Sequence, residues 1–287
     1  MASSSVAAAR PATPRRLPWT VLPFISILAG LVLMAIFAPL IAPVDPNVQS
    51  LLARLKAPGF SSRGIVYYLG TDELGRDVLS RIIHGARVSL LVAFASVALS
   101  GIFGSILGMV AAFYRGWVEI VLMRVVDIVL SVPAILLAII TVAVLGPSLT
   151  NVVIVLALTR WPRYARVAYG QTLSIANMPY VRLSRFMGAG WFRLLWRHVL
   201  PNIAGALIVV ATLEFGLMVL FEAGLSFLGL GVQPPTSSWG AMLSTGRNYV
   251  GTAWWIATFP GFALFLLVLS INLIGDHMRD RLDPRSR

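Results

Sequence analysis

The stretch VSLLVAFASVALSGIFGSILGMVAAF, residues 88–113, holds no charged side chain and no proline. A helix needs about 20 mostly apolar residues to cross a hydrocarbon core of about 30 Å, and this run exceeds that length. The rest of the chain agrees with it. Of 287 residues 58% are apolar and 12% charged, and the mean hydropathy is +0.84. A soluble domain carries about a quarter charged residues, and a disordered chain combines low hydrophobicity with high net charge. Both classes are excluded, and the sequence reads as an all-α membrane protein.

Working outward from residues 88–113, five more apolar runs complete a count of six transmembrane helices. They cover residues 21–42, 120–144, 149–161 (extending through Tyr164 towards Ala168), 202–231 and 253–274. The first is longer than the roughly 7–15 apolar residues of a signal peptide and ends in Pro39 and Pro43, so it is expected to stay as a span. Orientation follows the distribution of Lys and Arg. With the amino terminus inside, 16 of the 23 basic residues fall on the cytoplasmic side, and both termini are expected there. The resulting organisation is a cytoplasmic tail over 1–20, a first transmembrane helix over 21–42 and an external segment over 43–87. A core of five transmembrane helices follows over 88–275, enclosing a cytoplasmic loop at 165–200, and a second tail spans 276–287. Within the external segment residues 72–87 read as an amphipathic helix leading into the second span.

The formal charge of +12 needs no nucleic-acid partner, because membrane proteins concentrate basic residues in their cytoplasmic loops. All but one of the 23 basic residues are arginine, and the exception, Lys56, lies in Leu55-Lys56-Ala57-Pro58. A phosphate-binding Walker loop needs a lysine after its glycines, so ATP hydrolysis, if it drives this protein, belongs to another polypeptide. There is no cysteine, and His84, His198 and His277 show no metal-ligand spacing, so no metal is expected. The sequence Gly224-Leu225-Ser226-Phe227-Leu228-Gly229 is not a serine-hydrolase elbow, which makes a membrane-embedded hydrolase remote.

Intramembrane acids flag ion pathways or pairs. Asp127 follows Arg124 by three residues, and the two are expected to pair on one helix face. Glu214, mid-span in the fifth run, has no basic neighbour in sequence, and Glu222 lies two turns further out. An ion-coupled carrier built on Glu214 and Glu222 is therefore the competing reading; for Glu214, bonding to a neighbouring helix is the alternative. Gly104 and Gly108 have the spacing that lets two helix backbones approach, either within the subunit or against a second one.

The cytoplasmic segment is the most unusual part of the chain: from Arg160 to His198 it carries seven arginines and no acid. Asn177 and Pro179 read as a helix start, and Gly188-Ala189-Gly190 as its end. A short helix over 180–187 would display Val181, Phe186 and Met187 among arginines, and a second over 191–198 would return the chain to the membrane. The simple reading is a basic loop facing anionic headgroups; its structured ends and apolar residues suit a docking knob for a cytoplasmic partner better.

This loop resembles the coupling loop of binding-protein-dependent ABC importer permeases, whose pattern is Glu-Ala-Ala, three residues, Gly, then Leu-Pro further on. Gly188 and Leu200-Pro201 match, whereas Arg182-Leu183-Ser184 stand where that family has Glu-Ala-Ala. The chain also resembles the C-type subunit of the dipeptide, oligopeptide and nickel permeases. The runs that carry this are Leu69-Gly70-Thr71-Asp72-Glu73-Leu74-Gly75-Arg76-Asp77, the stretch from Glu222 through Gln233-Pro234-Pro235 to Trp239-Gly240, and Gly275-Asp276 with Leu282-Asp283-Pro284-Arg285. The resemblance implies a type I ABC importer permease fold that moves peptides. It implies a B-type permease subunit, two ATP-binding subunits and an extracytoplasmic solute-binding protein as partners, with no cofactor on this chain. It assigns Tyr180, Arg182, Arg185, Phe186, Met187, Gly188 and Ala189 to coupling. Glu214, Glu222, Ser226, Phe227, Gln233 and Trp239 would line the translocation path or its outer gate.

Overall fold

The computed structural model describes residues 19–62 and 64–282, so most of the expected amino-terminal tail and the match at Asp283-Pro284-Arg285 lie outside the described residues. The chain is mainly helical. Helices α1 (Leu22–Ile36) and α2 (Ala38–Ile41) are followed by an irregular segment with a 3-10 turn at Leu51–Ala53. Strands β1 (Phe60–Ser62) and β2 (Ile65–Tyr67) then form a short antiparallel hairpin that pairs Phe60 with Tyr67. The remaining helices are α3 (Val78–Tyr114), α4 (Gly116–Ser131), α5 (Ala134–Leu145), α6 (Leu149–Ala176), α7 (Pro179–Phe186), α8 (Trp191–Leu194), α9 (Leu200–Phe227), α10 (Trp239–Arg247) and α11 (Trp255–Leu282). A π-helical stretch at Leu195–Val199 joins α8 to α9 without a break.

Among the described residues three stretches qualify as spans by length and composition: Val78–Tyr114, Trp191–Phe227 and Trp255–Arg281. A fourth forms if α4 and α5 count as one span, bent by 91°. The bend divides the expected run at 120–144. Pro133 has no N–H to give and disfavours a helical residue before it, so α4 stops at Ser131 and Val132 turns extended. Helix α1 is only 15 residues long. Helix α6, at 28 residues, outruns its expected length and keeps Pro162 inside it; Arg160, Arg163 and Arg166 hold its apolarity below that of a plain span. Of the expected amphipathic helix at 72–87, residues 78–87 are helical and run unbroken into the second span as the start of α3, whereas residues 72–77 form a tight turn. The Asp72 carboxylate accepts from the backbone N–H of Leu74 and Arg76, both at 2.9 Å, and the Asp77 carboxylate caps α3 through Ser80 N–H at 2.9 Å.

Helices α3 and α6 form the spine. A Cβ on Gly104 would collide with the Trp161 carbonyl, and one on Gly108 with the Ala165 carbonyl. The two backbones therefore touch inside this subunit, which settles the use of the Gly104–Gly108 spacing. Val92, Leu156, Met218, Leu225 and Leu267 fill the core where α9 and α11 close over the spine.

The segment before α3 is held by ions. Arg76 Nε lies 2.6 Å from Asp72 Oδ2 and its Nη2 lies 2.9 Å from Glu73 Oε1, while Arg81 Nε approaches Asp72 at 3.5 Å. Burial, and after it the adjacent Asp72 carboxylate, hold the Glu73 carboxyl above the usual carboxylate range against the pull of Arg76 and Arg81. The Trp255 indole N–H donates to the Thr71 carbonyl at 3.0 Å and fastens this turn to α11.

Two outcomes follow from this packing. Gly108→Ala should destabilise the detergent-solubilised protein by about 1–3 kcal/mol, because neither backbone can yield. Gly170→Ala, on the open face of the same α6 contact partner, should be neutral or gain up to about 1 kcal/mol, and melting curves separate the two. Asp72→Asn leaves two guanidiniums short of their anion and should loosen residues 43–77 by about 3 kcal/mol. Hydrogen exchange should show that loss in the external segment while α6 and α9 stay protected.

Candidate functional site

Three places bring the expected site residues together. The outermost lies where α9 ends. Glu222 is fully buried, and its carboxylate accepts the Ser89 hydroxyl at 2.9 Å and the Ser226 hydroxyl at 2.7 Å. It ties α9 to α3 and to its own last turn. Trp239 is buried as well, and its indole N–H donates to the Ile82 carbonyl at 3.0 Å. Cβ atoms on Gly231 and Gly240 would strike Ser226 and Ala223, so glycine is needed for the turn after α9 to fold this tightly. Glu222, Ser226 and Trp239 thus lie within the subunit rather than on its surface. Phe227 is half-buried beneath the Arg247 guanidinium, 4.9 Å from its ring centre. Gln233 is exposed next to Pro234 and Pro235, and its side-chain amide donates to the carbonyls of Gly229 and Gly231 at 3.2 and 3.1 Å.

The second place is at mid-depth. Glu214 is not a lone acid: Arg163 Nη1 lies 3.0 Å from one carboxylate oxygen and Arg160 Nη1 lies 3.7 Å from the other. Both arginines come from α6, so the ion cluster bolts α6 to α9. The Arg160 guanidinium also stacks over Phe221, 4.2 Å from the ring centre. Asp127 pairs with Arg166 of α6 rather than with Arg124 of its own helix, and the Tyr169 hydroxyl donates to Glu119. The expected intrahelical pair is replaced because α6 offers a guanidinium directly across from α4. The sequence offered no sign of these partners, which are 51 positions apart for Glu214 and Arg163 and 39 for Asp127 and Arg166.

The third place is α7 and the turn after it. Pro179 is the first residue of α7, but its N-cap is Met178, while Asn177 ends α6 and donates back to the Leu173 carbonyl at 2.9 Å. Val181 anchors α7 in a cluster with Met109, Ile175 and Leu195. Phe186 and Met187 point away from it, 89% and 81% exposed. Gly188 has φ +85°, and the bonds from Met187 N–H to the Leu183 carbonyl and from Ala189 N–H to the Ser184 carbonyl close the helix. Ala189 tucks back against the same anchoring cluster. Tyr180 is half-exposed and its hydroxyl accepts from the Asn202 side chain at 3.3 Å. Arg182 donates to Asn177 at 3.1 Å, and Arg185 lies over the Phe113 ring. Among the described residues no cluster of three or more His, Asp or Glu side chains could hold a metal ion.

These three places match nothing that a catalytic centre requires: there is no activated nucleophile, and each acid is engaged by hydroxyls or arginines of another helix. Comparison with known proteins gives the reason. Residues 104–287 match the family described as binding-protein-dependent transport system inner membrane component, and residues 24–58 match the N-terminal transmembrane domain of oligopeptide transport permease C. The di/tripeptide transport system permease protein DppC of Pseudomonas aeruginosa is 48% identical over 256 residues, covering 89% of this chain and 84% of that protein. The probable D,D-dipeptide transport system permease protein DdpC of Escherichia coli is 41% identical, covering 91% and 86%. Among solved structures, a chain of the inward-facing MetNI methionine ABC transporter superposes with a TM-score of 0.57 at 20% identity, over 71% of this chain and 97% of that one, which establishes a shared fold. The chain therefore belongs to the binding-protein-dependent transport system inner membrane components, as a multi-pass permease of the C type and not an ATP-hydrolysing subunit.

Proposed function

We propose that this chain forms, with a B-type permease, the translocation path of an ATP-driven importer of short peptides, fed by a solute-binding protein and powered by two ATP-binding subunits. Di- and oligopeptides are the substrates because the similar proteins are named for them. In this reading six helices cross the bilayer, α1 and α6 included, both termini are cytoplasmic, and no cofactor resides on the chain. The observation that carries the proposal is α7. A permease must receive mechanical work from its ATPase, and α7 presents apolar Phe186 and Met187 outside the bundle while Val181 fixes its other face.

The coupling surface comprises Tyr180, Arg182, Arg185, Phe186, Met187, Gly188 and Ala189. Arg182-Leu183-Ser184 replace Glu-Ala-Ala, so the docking charge is basic and calls for acidic groups on the ATPase cleft. At the outer end Gln233 and Phe227 form the surface that meets peptide or binding protein, while Glu222, Ser226 and Trp239 frame it from within. Glu214 serves the path through its arginine partners. The ion-coupled alternative is not favoured, since Glu214 is charge-paired with Arg163 at 3.0 Å and Arg160 at 3.7 Å, and Glu222 is fully buried against hydroxyls.

Replacing Met187 with Glu and Gly188 with Leu together should leave the protein in the membrane and cut peptide uptake about tenfold or more while ATP hydrolysis continues. Undiminished uptake at normal expression contradicts the coupling assignment. Affinity purification of the chain from its own membrane should recover a second permease and the ATP-binding subunits in stoichiometric amounts, and recovery of the chain alone contradicts the assembly.

A further inference from the structure

We infer that Arg163 is the counter-ion for the carboxylate of the transported peptide at the middle of the path, with Arg160 and Glu214 holding it in place. The inference rests on the peptide-import reading above and names the side chain that this reading lacks. Depth comes first. Glu214 lies about 20 Å of helix from the end of α9 at Phe227, and Arg163 lies about 20 Å from either end of α6 (Leu149–Ala176). Arg163, 3.0 Å from it, is at the same depth.

Charge comes next. Arg160 and Arg163 share one carboxylate, and guanidinium does not deprotonate in proteins. The cluster therefore keeps one surplus positive charge. Exposure then singles out which arginine carries it outward. The side chains of Glu214 and Arg160 are 2% and 8% exposed, whereas that of Arg163 is 55% exposed. A half-exposed guanidinium at mid-membrane cannot face hydrocarbon; such groups face a water-filled path or another subunit.

Geometry suits a second anion. Arg163 bonds Glu214 through Nη1 alone, leaving further N–H donors for a bidentate carboxylate. Arg160 is pinned over Phe221 and stays on Glu214 when Arg163 lets go. A peptide carboxylate entering the path would take Arg163 from Glu214, and Glu214 would take it back as the peptide leaves. Exchange between two similar partners keeps the substrate from being trapped, the requirement on any conducting site.

The chain has no cysteine, which makes a charge-replacement experiment clean. The complete assembly, with reactive cysteines removed from its other subunits, is reconstituted with Arg163→Cys and loaded with a free-acid tripeptide on the binding protein. Uptake should fall about tenfold or more. Aminoethyl methanethiosulfonate, which adds an ammonium, should restore it, whereas the sulfonatoethyl reagent should not, and peptide turnover should slow the aminoethyl reaction. Arg163→Lys, which keeps the charge but loses the two-pronged geometry, should retain clearly more uptake than Arg163→Gln, which covers the case in which the cysteine variant assembles poorly. Equal recovery with both reagents, no reaction with either, or unimpaired Arg163→Gln overturns the inference; lack of reaction would place Arg163 against a partner subunit instead. Absence of peptide uptake by the wild-type assembly would instead overturn the peptide-import reading itself.

Discussion

A carboxylate buried among apolar helices has no water to solvate it, so it must find its counter-charge on another helix. Glu214 finds two, Arg160 and Arg163, and much of the structure follows from where they are. For both to reach α9, α6 must lie in the centre of the subunit with its arginines at mid-depth. To sit there it must press against α3, and Gly104 and Gly108 clear the space at the Trp161 and Ala165 carbonyls. The same α6 then runs on past the bundle to Ala176, and α7 begins three residues later at Pro179. The ion cluster thus holds the helix from whose far end α7 projects.

The outer end obeys the same rule with different chemistry. Glu222 is enclosed by the Ser89 and Ser226 hydroxyls, and the turn after α9 closes on it through Gly231 and Gly240. Trp239 and Trp255 each donate an indole N–H to a carbonyl of the segment opposite, at Ile82 and Thr71. External segment, α3, α9 and α11 become one body. In the proposed function, motion received at α7 would reach the turn after α9 through packed helices rather than through a flexible linker.

Some of this was legible in the sequence and some was not. The uninterrupted run at 88–113 announced a span because hydropathy is local, and Pro179 with Gly188 bracketed α7 because helix ends are also local. Pro133 was equally visible, yet the apolarity on both sides of it hid the bend between α4 and α5. Helix α6 was undercounted because its arginines, read by hydropathy, looked like a loop; tertiary pairing with Glu214 and Asp127 is what lets them stay inside. Glu222 lies 133 positions from Ser89, and no spacing rule reaches that far. The tight turn at Asp72 was mistaken for helix because alternating charged and apolar residues suit both, and only the bonds to Leu74 and Arg76 N–H distinguish them.

The central claim is that this chain is one part of an ATP-driven peptide importer whose charged groups serve packing and passage rather than ion coupling. Counting labelled peptide taken into proteoliposomes tests it most directly, with the chain alone under an imposed proton gradient compared with the full assembly supplied with ATP. Accumulation by the assembly that stops with a non-hydrolysable ATP analogue, and none by the chain alone, is the predicted result. Gradient-driven accumulation by the isolated chain would contradict it.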